Sequence, residues 1–491
     1  MGLYLIGIGG TGAKCVEAVA KLAAIGLFTE EPIKVLFVDA DETNGNLARA
    51  RTSISIYKRT YDLMPTGDKT QCGWMKSKIE SFDNWSPFTD EKELRTFFNY
   101  NTIKQNEPTL ANLFDVLYTR EEREANLDVG FRGRPAIGAA VMSQVDLDKL
   151  DEKPWGSLIE EIQGDTGSGK EPKIFLCGSI FGGTGASGLP TIARLIDNKL
   201  KKIRVRDRVQ TACLFVLPYF GFSPQPGENP DGVYARSEQF LLNTEAALRY
   251  YVTQGQEIFD QVYLLGNQNL SRVNFSIGKD SQRNDPHFLE LYAALAARKF
   301  LQDSSTPKGS VVLMTRKETG TISWDDIPDR AKVQQELMNA TRFAFTWLAE
   351  IAPELEEAKN AKNSRWGRLA PWLMDFFQAG GKSGGPLPEF SDADQQKAIG
   401  IINEWCQDYL RWLYSLHQCE GDNVALFKVD AFGPKRRRFV GDDLPNLIID
   451  DSRAEGKKKQ DTVKKLKEGL KPTAPDGTVG LAKSVYMASR I

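Results

Sequence analysis

Histidine is nearly absent: two occur in 491 residues, His287 and His417. That argues against a serine-type triad built on histidine and against a multi-histidine metal centre. Cysteine is sparse too. Cys15, Cys72, Cys177, Cys213, Cys406 and Cys419 are scattered without metal-ligand spacing, and at least Cys177 and Cys213 stand in apolar runs, as small hydrophobes do in a reducing cytoplasm. No apolar run reaches the roughly 18 residues of a membrane span. The start, MGLYLIGIGG, lacks the basic flank of a signal peptide, so a cytoplasmic location is expected. Neither charge sign dominates. The net charge of −2 gives no global basic field for nucleic acid and no pull toward a membrane.

What the chain has is glycine, placed after apolar runs. Ile174 to Ile180 reads as a buried parallel strand. Four glycines follow within seven positions, Gly182, Gly183, Gly185 and Gly188, among Thr184, Ala186 and Ser187. A helix comes next, with Pro190 expected in its first turn. A strand-to-helix turn needs one or two glycines. Four, with two hydroxyls, predict a loop whose N–H groups cradle phosphate. The beginning repeats the pattern: strand Leu3 to Ile8, then Gly9-Gly10-Thr11-Gly12, then a helix from Ala13. Alone this also fits a dinucleotide fingerprint. The next strand, Ile33 to Val38, ends in Asp39, Asp41 and Asn44. An acid there suits a ribose hydroxyl, while Asp41 and Asn44 fit turn or cap chemistry equally well.

Further strands are expected at Thr211–Leu217, 261–265, 310–316 and 424–429, and helices at 237–253, 286–301, 330–359 and 393–417. This alternation predicts an α/β fold, a Rossmann-like parallel sheet with ligand at the carboxyl ends of its strands. Residues 164–171 mimic a P-loop, but Glu171 replaces the required hydroxyl and the stretch precedes a strand, so a surface loop is expected. Arg132 and Arg134 flank Gly133 in a turn before Pro135, where they either meet a phosphate or form a solvated basic turn. Gly380 to Pro386 reads as a linker. Arg436–Arg438, Lys457–Lys459 and Lys464-Lys465 read as a solvated face or loose tail, with an acidic partner as the secondary reading.

With these loops in place, the first 300 residues resemble the tubulin/FtsZ family of GTPases. Gly9-Gly10-Thr11-Gly12 is similar to that family's first phosphate loop, residues 133–140 to the FtsZ loop reaching the terminal phosphate, and Gly182-Gly183-Thr184-Gly185 to the core of the tubulin signature. Phe181 departs from the small residue usual there, and the long spacing between first and central loops makes 51–128 an expected insertion. These departures point to a divergent bacterial tubulin-like branch. The resemblance implies a nucleotide-binding domain over 1–285, a central helix over 286–302, an α+β domain over 303–450 and a basic tail over 451–491. It implies bound GTP or GDP with Mg2+ and no metal ligands from protein side chains. It implies Phe288 stacking on the base, against core packing as the alternative, with Glu290 or Asn284 at guanine's amino edge.

The family donates an acidic loop to the next subunit's nucleotide. Gly320 to Asp325 follows its pattern with Ser323 for Asn, and the last acid is displaced to Asp329. The resemblance therefore implies catalytic duty for Asp325, with Asp326 and Asp329 as substitutes, against a helix-cap role. Head-to-tail self-association into filaments follows. A non-polymerising scaffold that binds a protein through its C-terminal helices and basic tail is the alternative. A nicotinamide-dependent oxidoreductase leaves residues 182–188 unexplained.

Overall fold

The computed structural model describes residues 2–29, 31–64, 72–88, 93–146, 153–223, 235–255, 257–276, 278–303, 305–316, 320–360, 370–378 and 387–490. The expected linker at 380–386 lies outside them. Seven apolar runs form one sheet: β1 (Leu3–Ile8), β2 (Ile33–Val38), β3 (Ile79–Ser81), β4 (Lys173–Ser179), β5 (Gln210–Val216), β6 (Gln261–Leu265) and β7 (Ser310–Met314). All neighbours are parallel, in the order β3-β2-β1-β4-β5-β6-β7. Side chains of β1 alternate between two cores, Leu3 and Leu5 in one, Tyr4, Ile6 and Ile8 in the other, as a sheet covered on both faces requires.

The helices that matter here are α1 (Gly9–Ala24), α2 (Gly45–Asp62), α3 (Pro135–Met142), α4 (Trp155–Gly167), α5 (Gly183–Lys202), α6 (Phe240–Tyr250), α7 (Phe288–Gln302), α8 (Arg330–Thr346), α9 (Ala393–Leu416) and α10 (Thr478–Ala488). Apolar residues of α1 and α7 belong to one core, and those of α3, α4 and α5 to the other. The sheet winds outward in both directions from β1 and β4. Their carboxyl ends therefore part to leave a crevice, the usual ligand position in such sheets.

Several expectations are corrected. Pro190 falls inside α5, because the helix starts on the glycine loop itself at Gly183. The first half of the P-loop mimic, 164–167, is the end of α4. The strand foreseen at 424–429 shrinks to Asn423–Val424, paired with Thr321–Ile322. Residues 51–128 are not wholly inserted: α2 runs through Asp62, and β3 is the sheet's edge strand. Nor does the sheet stop at 285, since β7 pairs with β6.

The end of the chain is no loose tail. Leu481, Val485 and Tyr486 of α10 are fully buried, and the Tyr486 ring stacks on Trp74 at 5.8 Å. Phe343 of α8 and Trp405 of α9 close the same aromatic cluster. All but two residues of α7 are buried. This agrees with an apolar pattern on more than one face.

Candidate functional site

Gly9 opens α1 with a left-handed φ of +72°, a conformation that a side chain would strain. Gly12 sits where α1 crosses β4, and a Cβ there would stand 2.5 Å from the Cys177 carbonyl oxygen. At the second loop the corresponding glycine is Gly185, whose Cβ would come within 2.2 Å of the Ser179 carbonyl oxygen. These two glycines draw both helix starts onto the sheet.

Both helices begin without a side-chain cap, and neither has an acid in its first turn. Their first N–H groups are therefore left for an acceptor from outside, and their macrodipoles present positive ends. The two starts meet in one open cleft, at the place where such sheets hold their ligands. Gly9, Gly10, Thr11, Gly182, Gly183, Thr184 and Gly185 line it. The turn before α3 forms another wall, with Arg132 and Gly133.

Other residues named from sequence fall differently. Gly12 is packed away from the cleft. Ala186 and Ser187 are buried in α5, where the Ser187 hydroxyl donates back to the Gly183 carbonyl at 2.8 Å. Arg134 turns to an ion pair with Glu122 and does not line the cleft, while Arg132 Nη2 donates to the Asn126 carbonyl at 3.0 Å.

At the end of β2, Asp39 is buried on the cleft wall. Its Oδ1 accepts from the Asp41 N–H at 3.2 Å and, weakly, the Thr184 hydroxyl at 3.5 Å. Its Oδ2 has no hydrogen-bond partner among the described residues. Burial, with the Asp41 charge adding, pushes this carboxyl up to about 7. Asp41 is consumed by a turn, accepting from the Thr43 N–H and hydroxyl and from the Lys279 N–H. Asn44 caps α2 through Oδ1 while its Nδ2 reaches Gln282 at 2.9 Å. Cap chemistry and a place on the wall coexist there. Asn284 lies alongside, its N–H on Asn46 Oδ1 at 2.9 Å.

Phe288 and Glu290 do not line the cleft. Phe288 is core, against His287 and Tyr292. Glu290 is buried beneath the wall: Lys14 Nζ lies 2.5 Å from its Oε1, the Tyr219 hydroxyl donates to the same oxygen at 3.1 Å, and Oε2 accepts the His287 N–H. Burial raises the Glu290 carboxyl, and Lys14 holds it back. The physical reason for the misplacement is the helix start. Glu290 closes a capping box with His287 at the first turn of α7, which turns both side chains inward.

The sequence reading missed Lys14, Ser179 and an aromatic wall of Tyr219, Phe220, Phe222 and Phe240 beside Phe181. A signal existed for the wall. Tyr219, Phe220 and Phe222 come directly after β5, at the carboxyl end of a parallel strand, where ligands bind. Lys14 is the first charged residue of α1 in an otherwise small and apolar start.

The acids of the 320–329 loop lie apart from the cleft. Asp325 is exposed and pairs with Arg330. Asp326 caps the short turn at Trp324, accepting from the Ser323 N–H at 2.8 Å. Asp329 takes a left-handed φ of +49° and pairs with Arg298 of α7 at 2.7 Å. His287 is buried and His417 half-buried, and neither lines the cleft. No helix among the described residues is long and apolar enough to cross a membrane, and they contain no cluster of metal-ligating side chains.

No protein-family model matches this sequence, and no curated protein matches it. Among solved structures it is similar to CetZ1 from Haloferax volcanii, described as a GDP-bound monomer, at 14% identity and a TM-score of 0.23. The match covers 54% of this chain and 51% of that one, so the chain spans about half the length of that protein.

Proposed function

We propose that the cleft binds GTP and that the protein is a tubulin/FtsZ-like GTPase, hydrolysing its nucleotide where one copy meets the next. The observation that carries the nucleotide reading is the convergence of two uncapped helix starts, α1 and α5, on one cleft. Backbone N–H groups and two helix dipoles there suit a chain of phosphates without a dedicated lysine. The aromatic wall and the amides of Asn44, Asn46, Gln282 and Asn284 suit a base and ribose. Guanine rests on the family resemblance of the three loops. A single site accounts for both glycine loops, which a dinucleotide oxidoreductase does not, and neither histidine reaches it as a proton donor.

Asp39 fits a divalent cation held with the phosphates. Its Oδ2 is buried and without a partner among the described residues, its Oδ1 is beside Thr184, and a bound Mg2+ would supply charge neutralisation at the phosphates. For hydrolysis, a neighbour's Asp325 would orient the attacking water. The scaffold alternative draws on the pairing of Asp325 with Arg330 and the capping role of Asp326, which leave the loop without a free, poised acid.

Denaturing the purified protein and identifying the released nucleotide tests the reading. Guanine nucleotide is expected, and bound NAD or FAD would overturn it. Pelleting and phosphate release with GTP, compared with a non-hydrolysable analogue, separate GTPase from scaffold: tight retention with negligible turnover selects the scaffold.

Asp39 gives a pH prediction whose sign is fixed. Its folded value lies above the unfolded one, so its contribution to ligand-free stability is full below the ordinary carboxylate range and is lost as pH rises through about 7. Mg2+-dependent nucleotide affinity rises over the same window, because the carboxylate must ionise to hold the cation. Asp39→Asn should flatten both profiles and weaken Mg2+-dependent binding about tenfold at pH near 8. An unchanged affinity profile in the variant would remove Asp39 from the cation site.

A further inference from the structure

The charge runs near the end of the chain gather on one built surface. The turn Gly441–Asn446 packs against the short helices Glu455–Gln460 and Val463–Glu468. Phe439 stacks on Phe345 of α8 at 5.7 Å and holds the arginine run in place. Three acids of this region are spent inside it. Asp461 pairs with Arg342 and Arg453, Asp451 with Arg453, and Asp443 with Arg436. Lys435, Arg437, Arg438, Lys457 and Lys459 are left exposed, with no acidic partner among the described residues. Lys464 pairs with Glu468 and Lys458 with Glu455 along their own helices, which leaves those five cations facing out.

We propose that this surface binds the phosphate backbone of a nucleic-acid duplex. Adjacent arginines offer planar forks that match phosphate oxygens in pairs. The surface lacks what other acidic partners need. Phe439 is the single aromatic of 434–471 and is engaged with Phe345, so there is no stacking platform for single strands. The helix Glu455–Gln460 carries no apolar residue to enter a bilayer. Val440 is the one large apolar residue of the region that is markedly exposed, too little for the apolar centre of a protein interface. The rest of the chain outweighs these cations to give a net charge of −2, which repels a polyanion elsewhere and confines it to this face. The inference is independent of what fills the glycine cleft.

The test is fluorescence anisotropy of a labelled mixed-sequence duplex of about 30 base pairs, titrated with the full chain. With four or five phosphates neutralised, affinity should fall on the order of a hundredfold or more between about 50 and about 200 mM salt. The variant R437Q/R438Q/K457Q/K459Q should bind at least about tenfold more weakly with a slope reduced by about four. The charge-matched variant R51Q/K58Q/K104Q/K397Q, altered at exposed cations elsewhere, should bind like the parent. Circular dichroism confirms that both variants fold. The proposal fails if no binding occurs at low salt or if the two variants behave alike. It fails too if a single strand of equal length, or vesicles with about one-third phosphatidylserine, bind more tightly than the duplex at the same salt.

Discussion

Gly185→Ala should abolish nucleotide binding, while Gly164→Ala, in the stretch that imitates a P-loop, should leave it untouched. The contrast is steric. A methyl at 185 would meet the Ser179 carbonyl oxygen at 2.2 Å, whereas at 164 it meets nothing within 4 Å. Backbone cannot yield at the first site without lifting α5 from β4, and that displaces the N–H groups of Gly183 and Thr184 that line the cleft. The strain costs about 3 kcal/mol or more, and a shifted cradle should weaken binding by at least roughly a hundredfold. At Gly164, inside α4, alanine should stabilise the helix by about 0.5–1 kcal/mol. Isothermal titration with nucleotide and urea unfolding of both variants give the two numbers. Equal nucleotide affinity in Gly185→Ala and the parent would remove the second glycine loop from the site.

Lys14→Met should be the most destabilising single change beside the cleft. Lys14 and Glu290 are both buried, at 3% and 2% side-chain exposure. Removing the cation leaves a buried carboxylate without its ion-pair partner, held by the Tyr219 hydroxyl and the His287 N–H, a loss of about 3–5 kcal/mol. Glu290 is already raised by burial and held down by Lys14, so the variant raises it further. Its folded value then lies well above its unfolded one. The deficit is largest at neutral pH and shrinks as pH falls toward the unfolded carboxylate range, the reverse of ordinary acid denaturation. Lys14→Met/Glu290→Gln should recover most of the stability, because no buried charge remains. Urea midpoints across pH for the single and double variants test this. A deficit that does not depend on pH would show that Lys14 acts through packing alone.

The fold was legible in the sequence where physics is local. β1, β4 and β5 are buried on both faces, so their apolar runs are unbroken, and the glycines that follow mark the strand ends at the crevice. β3 is three residues long and only partly buried, which leaves no pattern to read. Tyr219, Phe220 and Phe222 look like core residues until β5 is known to end beside the glycine loops. Glu290 carries the right chemistry for a base edge, but its direction is set by the capping box at the start of α7, which spacing alone does not reveal. Residues 451–491 read as a tail because lysines outnumber the apolar residues over 457–471. Val463, Leu466, Leu481, Val485 and Tyr486 are enough to anchor it, and their partners, Trp74 among them, are too distant in sequence to be seen.

That distance has a consequence for how the chain is made. Trp74 is synthesised early, and the ring that covers it belongs to Tyr486, while Arg490 bonds the Cys72 carbonyl across 418 positions. Such remote contacts come late, because a long segment must be ordered before they stabilise anything. Until residues 478–488 leave the ribosome, Trp74, Phe343 and Trp405 lack the Tyr486 ring that packs among them. The helix Thr478–Ala488 therefore completes that aromatic cluster, and a chain stalled or truncated before it should be held by chaperones with the cluster incomplete.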